Sequence, residues 1–181
     1  RFWVAEHHAV PGIAGSAPTV LMAALASRTN TIRIGSGGVM LPNHQPLVVA
    51  EQAATLQALF PGRIDLGIGR SVAFTAAIRD ALRQGYDAAE RFEADLSELL
   101  AYLAGNAPIT ARPQDGGVTR PFVLAMGKGI EYAARAGLGV VVGGPALTGR
   151  HPQKAQEALQ RYRTEFRASQ WYSEPYVVAS A

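Results

Sequence analysis

The sequence contains no cysteine, which excludes disulfide bonds, thiolate metal ligands and a cysteine nucleophile. No apolar run reaches the roughly 18 residues that a membrane-spanning helix needs, and no secretory signal is recognisable, so we expect a cytoplasmic protein. The 17 basic and 14 acidic residues leave a formal net charge of only +3, and like charges form no block. We therefore expect neither a nucleic acid nor a membrane as a partner.

The remaining composition is that of a globular domain with a sizeable core. The chain has 181 residues, of which 48% are hydrophobic and 17% are charged. No repeat or linker divides it, so we predict one domain over residues 1–181. Because the chain starts at Arg1 and enters an apolar segment at once, we expect that an N-terminal part is missing.

Strand-like and helix-like segments alternate along the chain. The predicted strands cover residues 1–5, 31–36, 63–68, 121–126, 138–142 and 175–180. The predicted helices cover residues 19–28, 46–60, 87–103, 130–136 and 152–166, and residues 71–85 are predicted to be loop with a short helix. This alternation predicts an α/β fold with a parallel sheet, although it does not separate a barrel from a doubly wound sheet.

Residues that could carry chemistry follow the predicted strands, at the edge where parallel α/β folds bind their ligands. In chain order they are Glu6-His7-His8, Gly37-Gly38, Arg70, Met126-Gly127-Lys128-Gly129 and Gly143-Gly144. Glycine at so many strand ends indicates either backbone that lies close to a flat or bulky ligand or, equally, tight turns between strands and helices.

Two of these positions could bind a phosphate. The segment from Met126 to Gly129 leads into a helix, whose free N–H groups bind anions, and Lys128 adds positive charge. The guanidinium of Arg70 matches phosphate oxygens. The alternatives are an ordinary glycine-rich loop with a solvated lysine, and a surface ion pair. Neither a dinucleotide fingerprint nor a P-loop is present.

The adjacent histidines His7 and His8 are predicted to point to opposite faces of an extended segment, one to the site and the other elsewhere. A general acid–base role suits one of them, and a hydrogen-bonded structural histidine is an equal alternative. A metal site built from Glu6, His7 and His44 is less favoured, so we predict no metal.

Four segments in sequence resemble the bacterial luciferase-like, flavin-dependent monooxygenases. They are residues 3–8 (WVAEHH), 34–42 (IGSGGVMLP), 46–52 (PLVVAEQ) and 62–70 (GRIDLGIGR). The resemblance covers nearly the whole chain and implies a (β/α)₈ TIM-type barrel that binds FMN at the carboxyl ends of its strands. The six predicted strands would be the second to the seventh, so we expect an incomplete barrel, which agrees with a length below roughly 250 residues.

The resemblance also implies roles for individual residues. His7 matches the first histidine of a Glu-His-His motif near the reacting flavin, where it would assist proton transfer. Gly37-Gly38 matches the dipeptide that lies against the flavin ring, often with a cis peptide bond in relatives. Arg70 and residues 126–129 match the elements that bind the flavin phosphate. Gly144 replaces a bulky aromatic residue of the luciferases, so light emission and long-chain aldehyde specificity are not implied.

The function that the resemblance implies is that of a monooxygenase enzyme. It would use reduced FMN and O₂ to oxygenate a small organic substrate, would receive reduced FMN from a separate flavin reductase, and is expected to form a homodimer. The alternatives are an oxidoreductase that transfers hydride with the deazaflavin F420 on the same barrel, and a non-catalytic flavin-binding or assembly protein. A phosphosugar-type barrel enzyme would leave Glu6-His7-His8 and Gly37-Gly38 unexplained.

Overall fold

The structure is a computed structural model that describes residues 1–73, 75–114, 117–124, 128–143, 147 and 152–180. It divides into two compact units, Arg1–Thr119 and Arg120–Ala181. Each unit has parallel strands that alternate with helices, which confirms the predicted α/β class. No helix in the described part of the chain is both long and apolar enough to cross a membrane.

The first unit contains four strands, all parallel: β1 (Phe2–Val4), β2 (Ile34–Ser36), β3 (Val39–Met40) and β4 (Ile64–Gly69). Strand β2 pairs with β1 and β4, and the short β3 pairs with the end of β4. The register places Trp3 beside Gly35 and Ile34 beside Ile64. Every residue of β4 is buried, as is typical of a parallel strand that is covered on both faces.

The helices of the first unit are α1 (Pro18–Ser27), α2 (Pro46–Leu59), α3 (Ala76–Ala81) and α4 (Phe92–Ala104). Two 3₁₀ turns, Leu41–Asn43 and Tyr86–Glu90, precede α2 and α4. Proline stands in the first turn of α1 and of α2, where its missing N–H group costs no hydrogen bond. A cluster of buried side chains joins α1 and α2 to the strands, formed by Met22, Ala26, Ile34, Leu56 and Ile64.

Several boundaries in this unit differ from the prediction. The strand β3 was not predicted, because two residues are too few to show an alternating pattern. Helix α4 begins at Phe92 rather than at residue 87, because residues 86–90 form a 3₁₀ turn. The apolar residues Phe92, Leu96 and Leu99, which recur at helical spacing, are the buried residues of α4. The short helix expected within residues 71–85 is α3.

The second unit contains the parallel strands β5 (Arg120–Leu124), β6 (Gly139–Gly143) and β7 (Val177–Ser180) and the helices α5 (Lys128–Ala136) and α6 (Pro152–Glu165). Strand β6 pairs with both β5 and β7, and α5 contacts α6. Gly137 follows the last residue of α5, with a φ angle of 65°. A Cβ atom there would lie 2.5 Å from the carbonyl oxygen of Arg167, so only glycine fits.

A buried tyrosine hydroxyl connects helix α6 to two strands of the second unit. Tyr162 donates to the carbonyl of Leu138 at 2.7 Å, directly before β6, and accepts from the N–H of Tyr176 at 3.0 Å, directly before β7. Burial raises the pKa of the Tyr162 hydroxyl. Its hydrogen bonds satisfy two backbone groups that have to be paired inside the unit.

We predict that Tyr162→Phe lowers the free energy of unfolding by about 1–3 kcal/mol, because the substitution leaves buried backbone groups without a partner. Urea denaturation measures this loss. Tyr102→Phe is the matched control, because the Tyr102 hydroxyl pairs with Glu98 on the same helix, α4, and little change is expected there. Equal losses in the two variants would contradict the role of Tyr162.

Candidate functional site

The carboxyl ends of strands in the first unit surround a cavity of about 100 Å³. Because the strands are parallel, these ends meet at one edge of the sheet, where α/β folds bind ligands. The lining residues come from the segment after β1, the end of β3, the following 3₁₀ turn and the segment after β4: Glu6, His7, His8, Met40, Asn43, Ser71, Val72 and Ala73.

The carboxylate of Glu6 is the centre of the hydrogen bonds at this edge. Its side chain is completely buried. It accepts from the N–H of Met40 at 2.9 Å and from Nδ2 of Asn43 at 3.1 Å. Nε2 of His8 lies 2.9 Å from Oε1, and Nε2 of His44 lies 3.0 Å from Oε2. These contacts join the segment after β1 to the chain around the first 3₁₀ turn.

The surroundings of Glu6 favour the ionised form of its carboxyl group. Burial by itself raises the pKa, but the hydrogen bond and charge of His44 and the hydrogen bonds from His8 and Met40 together lower it from 4.5 to about 2. The carboxylate is therefore ionised at neutral pH and can only accept hydrogen bonds. Nε2 of His8 and Nε2 of His44 must therefore carry the hydrogens in these contacts.

The predicted opposite orientation of His7 and His8 is wrong, because both residues line the same cavity. The prediction assumed an extended segment through residue 8, whereas β1 ends at Val4. The chain then turns away from strand geometry, and Ala9 has a positive φ of 53°. Alternation between faces therefore no longer applies at His7 and His8.

The dipeptide Gly37-Gly38 lies between β2 and β3, and its peptide bond is cis, as the resemblance implies. The N–H of Gly37 donates to the carbonyl of Val4 at 2.7 Å, so the dipeptide lies beside the end of β1. The preceding Ser36 was not singled out from the sequence. Its buried hydroxyl donates to the carbonyl of Gly67 at 2.8 Å and accepts from the N–H of Gly67 at 2.9 Å, which links β2 to β4.

Arg70 follows β4 directly and is exposed. Its Nε donates to the carbonyl of Ala89 at 3.0 Å, in the second 3₁₀ turn. This contact uses one of the five N–H groups of the guanidinium. Arg70 is not among the cavity-lining residues, although its neighbour Ser71 is. The alternative prediction of a surface ion pair does not describe the contact, because the acceptor is a backbone carbonyl.

The second predicted phosphate-binding element belongs to the second unit. Met126 and Gly127 lie outside the described residues, as does Gly144. Lys128 is the first residue of α5 and Gly129 the second. Helix α5 therefore begins two residues earlier than residue 130, the predicted start, and residues 128 and 129 stand in its first turn.

The residues that sequence reasoning missed are the partners of Glu6. Asn43 was not considered, and His44 was considered only as a metal ligand. Glu6 and His44 do meet, but they join His8 rather than His7, through direct hydrogen bonds. No group of His, Asp or Glu side chains suited to a metal ion occurs among the described residues. A glutamate that is buried after a strand requires hydrogen-bond donors around its carboxylate. That requirement was the signal by which its partners could have been sought in the sequence.

The comparisons with known proteins agree with the resemblance seen in the sequence. The luciferase-like monooxygenase family matches residues 1–181. A luciferase-like monooxygenase of Escherichia coli (strain K12) is 40% identical over 182 residues, which are 98% of this chain and 53% of that protein. The crystal structure of apo-MsnO8 is similar with a TM-score of 0.87 and 37% identity, over 100% of this chain and 54% of that chain. The coenzyme F420-dependent tetrahydromethanopterin reductase of Methanopyrus kandleri has a TM-score of 0.72 and 19% identity, over 100% of this chain and 57% of that chain, and shows the fold alone.

The chain therefore belongs to the luciferase-like monooxygenase family, and the predicted TIM-barrel fold class is confirmed. All six predicted strands are present in the described part, with β3 as an addition. The chain spans about half the length of the curated relatives it matches, 53% of the Escherichia coli protein.

We predict that Glu6 makes the stability of the protein depend on pH below neutrality. Its pKa is about 2 in the folded protein against a usual 4.5, so the carboxylate stabilises the fold above pH 4.5. This stabilisation, on the order of 3 kcal/mol, is lost as the pH falls from 4.5 through 2. Urea denaturation across this window should give a steeper decline for the wild type than for Glu6→Gln.

The control for this experiment is Glu174→Gln, which removes an exposed carboxyl group from the second unit. It should keep the pH dependence of the wild type. If Glu6→Gln also keeps that dependence, the buried carboxylate is not the group that responds to acid.

Proposed function

We propose that this chain carries the cofactor-binding and reacting part of a flavin-dependent monooxygenase, which uses reduced FMN and O₂ to oxygenate a small organic substrate. The observation that carries the proposal is the cavity with two histidines at the carboxyl ends of parallel strands, in a member of the luciferase-like monooxygenase family. We infer that both units belong to a single flavin-binding domain, since the family matches both.

The side chains of the cavity would contact part of a flavin ring. Met40, Val72 and Ala73 supply apolar surface, while His7 and His8 supply polar groups. Such a mixture of apolar walls and a few polar groups is typical of small-molecule sites. The volume of about 100 Å³ is smaller than the roughly 300–1,000 Å³ of such sites, so these residues would contact only one portion of the ring.

Other residues would hold the remainder of the cofactor. The backbone of Gly37-Gly38 would face the ring, because glycine lets a flat group approach the chain closely. The terminal amino groups of Arg70 would bind the phosphate, as a guanidinium matches its oxygens. From the resemblance in sequence, the N–H groups of residues 126–129, together with Lys128, are the second phosphate-binding element that we propose.

The histidine and the apolar walls would have separate roles in the reaction. Reduced FMN, when bound, would supply the electrons with which one oxygen atom of O₂ enters the substrate and the other leaves as water. His7 would hold a proton at an imidazole nitrogen inside the cavity. Met40, Val72 and Ala73 would keep bulk water from that place. The proposal includes a separate reductase that supplies reduced FMN, and a homodimer.

The test of the proposal is an anaerobic titration of the purified protein with reduced FMN, followed by oxidised FMN and F420, observed by absorbance and fluorescence. Micromolar binding of reduced FMN is the expected result of the titration. Substrate-dependent uptake of O₂ is then expected in a separate measurement in air. A preference for F420 would favour hydride transfer instead. Binding of FMN without any turnover would favour a non-catalytic flavin protein, and binding of neither cofactor would contradict the proposal.

We predict that Arg70→Ala weakens FMN binding by about tenfold to a hundredfold, which is the value of one or two charged hydrogen bonds to phosphate. Arg28→Ala is the matched control, since Arg28 is an exposed arginine directly after α1, before the strand β2 begins. It should bind FMN as the wild type does. Equal affinities of the Arg70 and Arg28 variants would mean that Arg70 does not bind the phosphate.

A further inference from the structure

His8 makes contacts that have no part in the role proposed for His7. His8 is one of the residues that line the cavity, and its Nε2 lies 2.9 Å from Oε1 of the buried Glu6. The His8 side chain is 22% exposed, whereas the Glu6 side chain is fully buried. The carboxylate partner thus belongs to the second histidine of the Glu-His-His segment and not to the first.

The contact with Glu6 decides which nitrogen of His8 is available. Because the ionised carboxylate can only accept, Nε2 of His8 carries the hydrogen that points to Glu6. The other nitrogen, Nδ1, is then the basic one of the neutral ring. A carboxylate that holds an imidazole in this way fixes the tautomer and the orientation of the ring, and it stabilises the cation that forms when the ring takes up a proton.

We propose that Glu6 and His8 form a carboxylate–histidine pair in which His8 is a further catalytic residue that exchanges a proton at Nδ1 with the ligand in the cavity. This inference rests on the proposed function, because the proton serves that reaction. An N–H bond forms at Nδ1 while an O–H or N–H bond of the bound ligand breaks. The resulting imidazolium lies against the Glu6 carboxylate, and the N–H bond at Nδ1 breaks again when the ring returns the proton to water.

His44 makes the same kind of contact without reaching the cavity. Its Nε2 lies 3.1 Å from Oε1 and 3.0 Å from Oε2 of Glu6, and its side chain is 29% exposed. It is not among the residues that line the cavity. His8 and His44 are the two charged or titratable side chains that contact Glu6 in the described part of the chain. His44 is therefore a positioning residue for the carboxylate and a matched comparison for His8.

The experiment compares His8→Gln with His44→Gln in the full-length protein. The glutamine amide nitrogen can still donate to Glu6 in place of Nε2, but it cannot exchange a proton at neutral pH. We expect His8→Gln to lower kcat by about a hundredfold to ten thousandfold while the Kd for reduced FMN changes less than about threefold. His44→Gln should lower kcat by less than about tenfold. Unchanged kcat in His8→Gln, or equal losses in both variants, would overturn the role of His8.

A second measurement is independent of turnover. In the protein without cofactor, ¹⁵N NMR of the histidine rings should show His8 with its hydrogen on Nε2, and Glu6→Gln should change that spectrum. A hydrogen on Nδ1, or no response to Glu6→Gln, would overturn the pair itself. Failure of the wild type to bind any flavin would instead contradict the proposed function, and with it the catalytic role of His8, even with the predicted tautomer present.

Discussion

The candidate site depends on one buried charge. A carboxylate that is removed from water is strongly destabilising unless hydrogen-bond donors surround it. Four groups donate to the carboxylate of Glu6: the Met40 N–H, Asn43 Nδ2, and Nε2 of His8 and of His44. Because these donors come from separate segments, the same contacts that stabilise the charge also fix those segments relative to one another. His7 stands between Glu6 and His8 in the chain, and its own N–H donates to the carbonyl of Gly15 at 2.7 Å. The backbone at the cavity is therefore held on both sides of His7.

The general architecture was predictable because it depends on patterns that are local in sequence. Proline at the first turn of α2, the apolar stripe of α4 and the apolar strand β6 each indicate their element without knowledge of the partner. The alternation of strands and helices then predicts parallel pairing. The candidate site was placed by the same argument, since Glu6-His7-His8 and Gly37-Gly38 follow strands in the sequence.

What could not be predicted depends on contacts between distant residues. Asn43 and His44 meet Glu6 across 37 and 38 positions, through a short strand and a 3₁₀ turn that have no periodic signal. The relative orientation of His7 and His8 was predicted wrongly because the strand ends at Val4, before either residue. A two-residue strand such as β3 is defined by its pairing with β4 rather than by a pattern of its own. These are tertiary effects that override local preference.

The family and the fold are established, while the cofactor and the reaction are proposals. The binding mode of FMN is the property that connects the fold to the proposed reaction most directly. A crystal structure of the protein with FMN tests that mode. Our account predicts that the ring lies on Gly37-Gly38 with His7 and His8 at its edge, and that the phosphate contacts Arg70. FMN bound at a different place, with the cavity beside Glu6 left open, would contradict the assignment of this cavity as the reacting site.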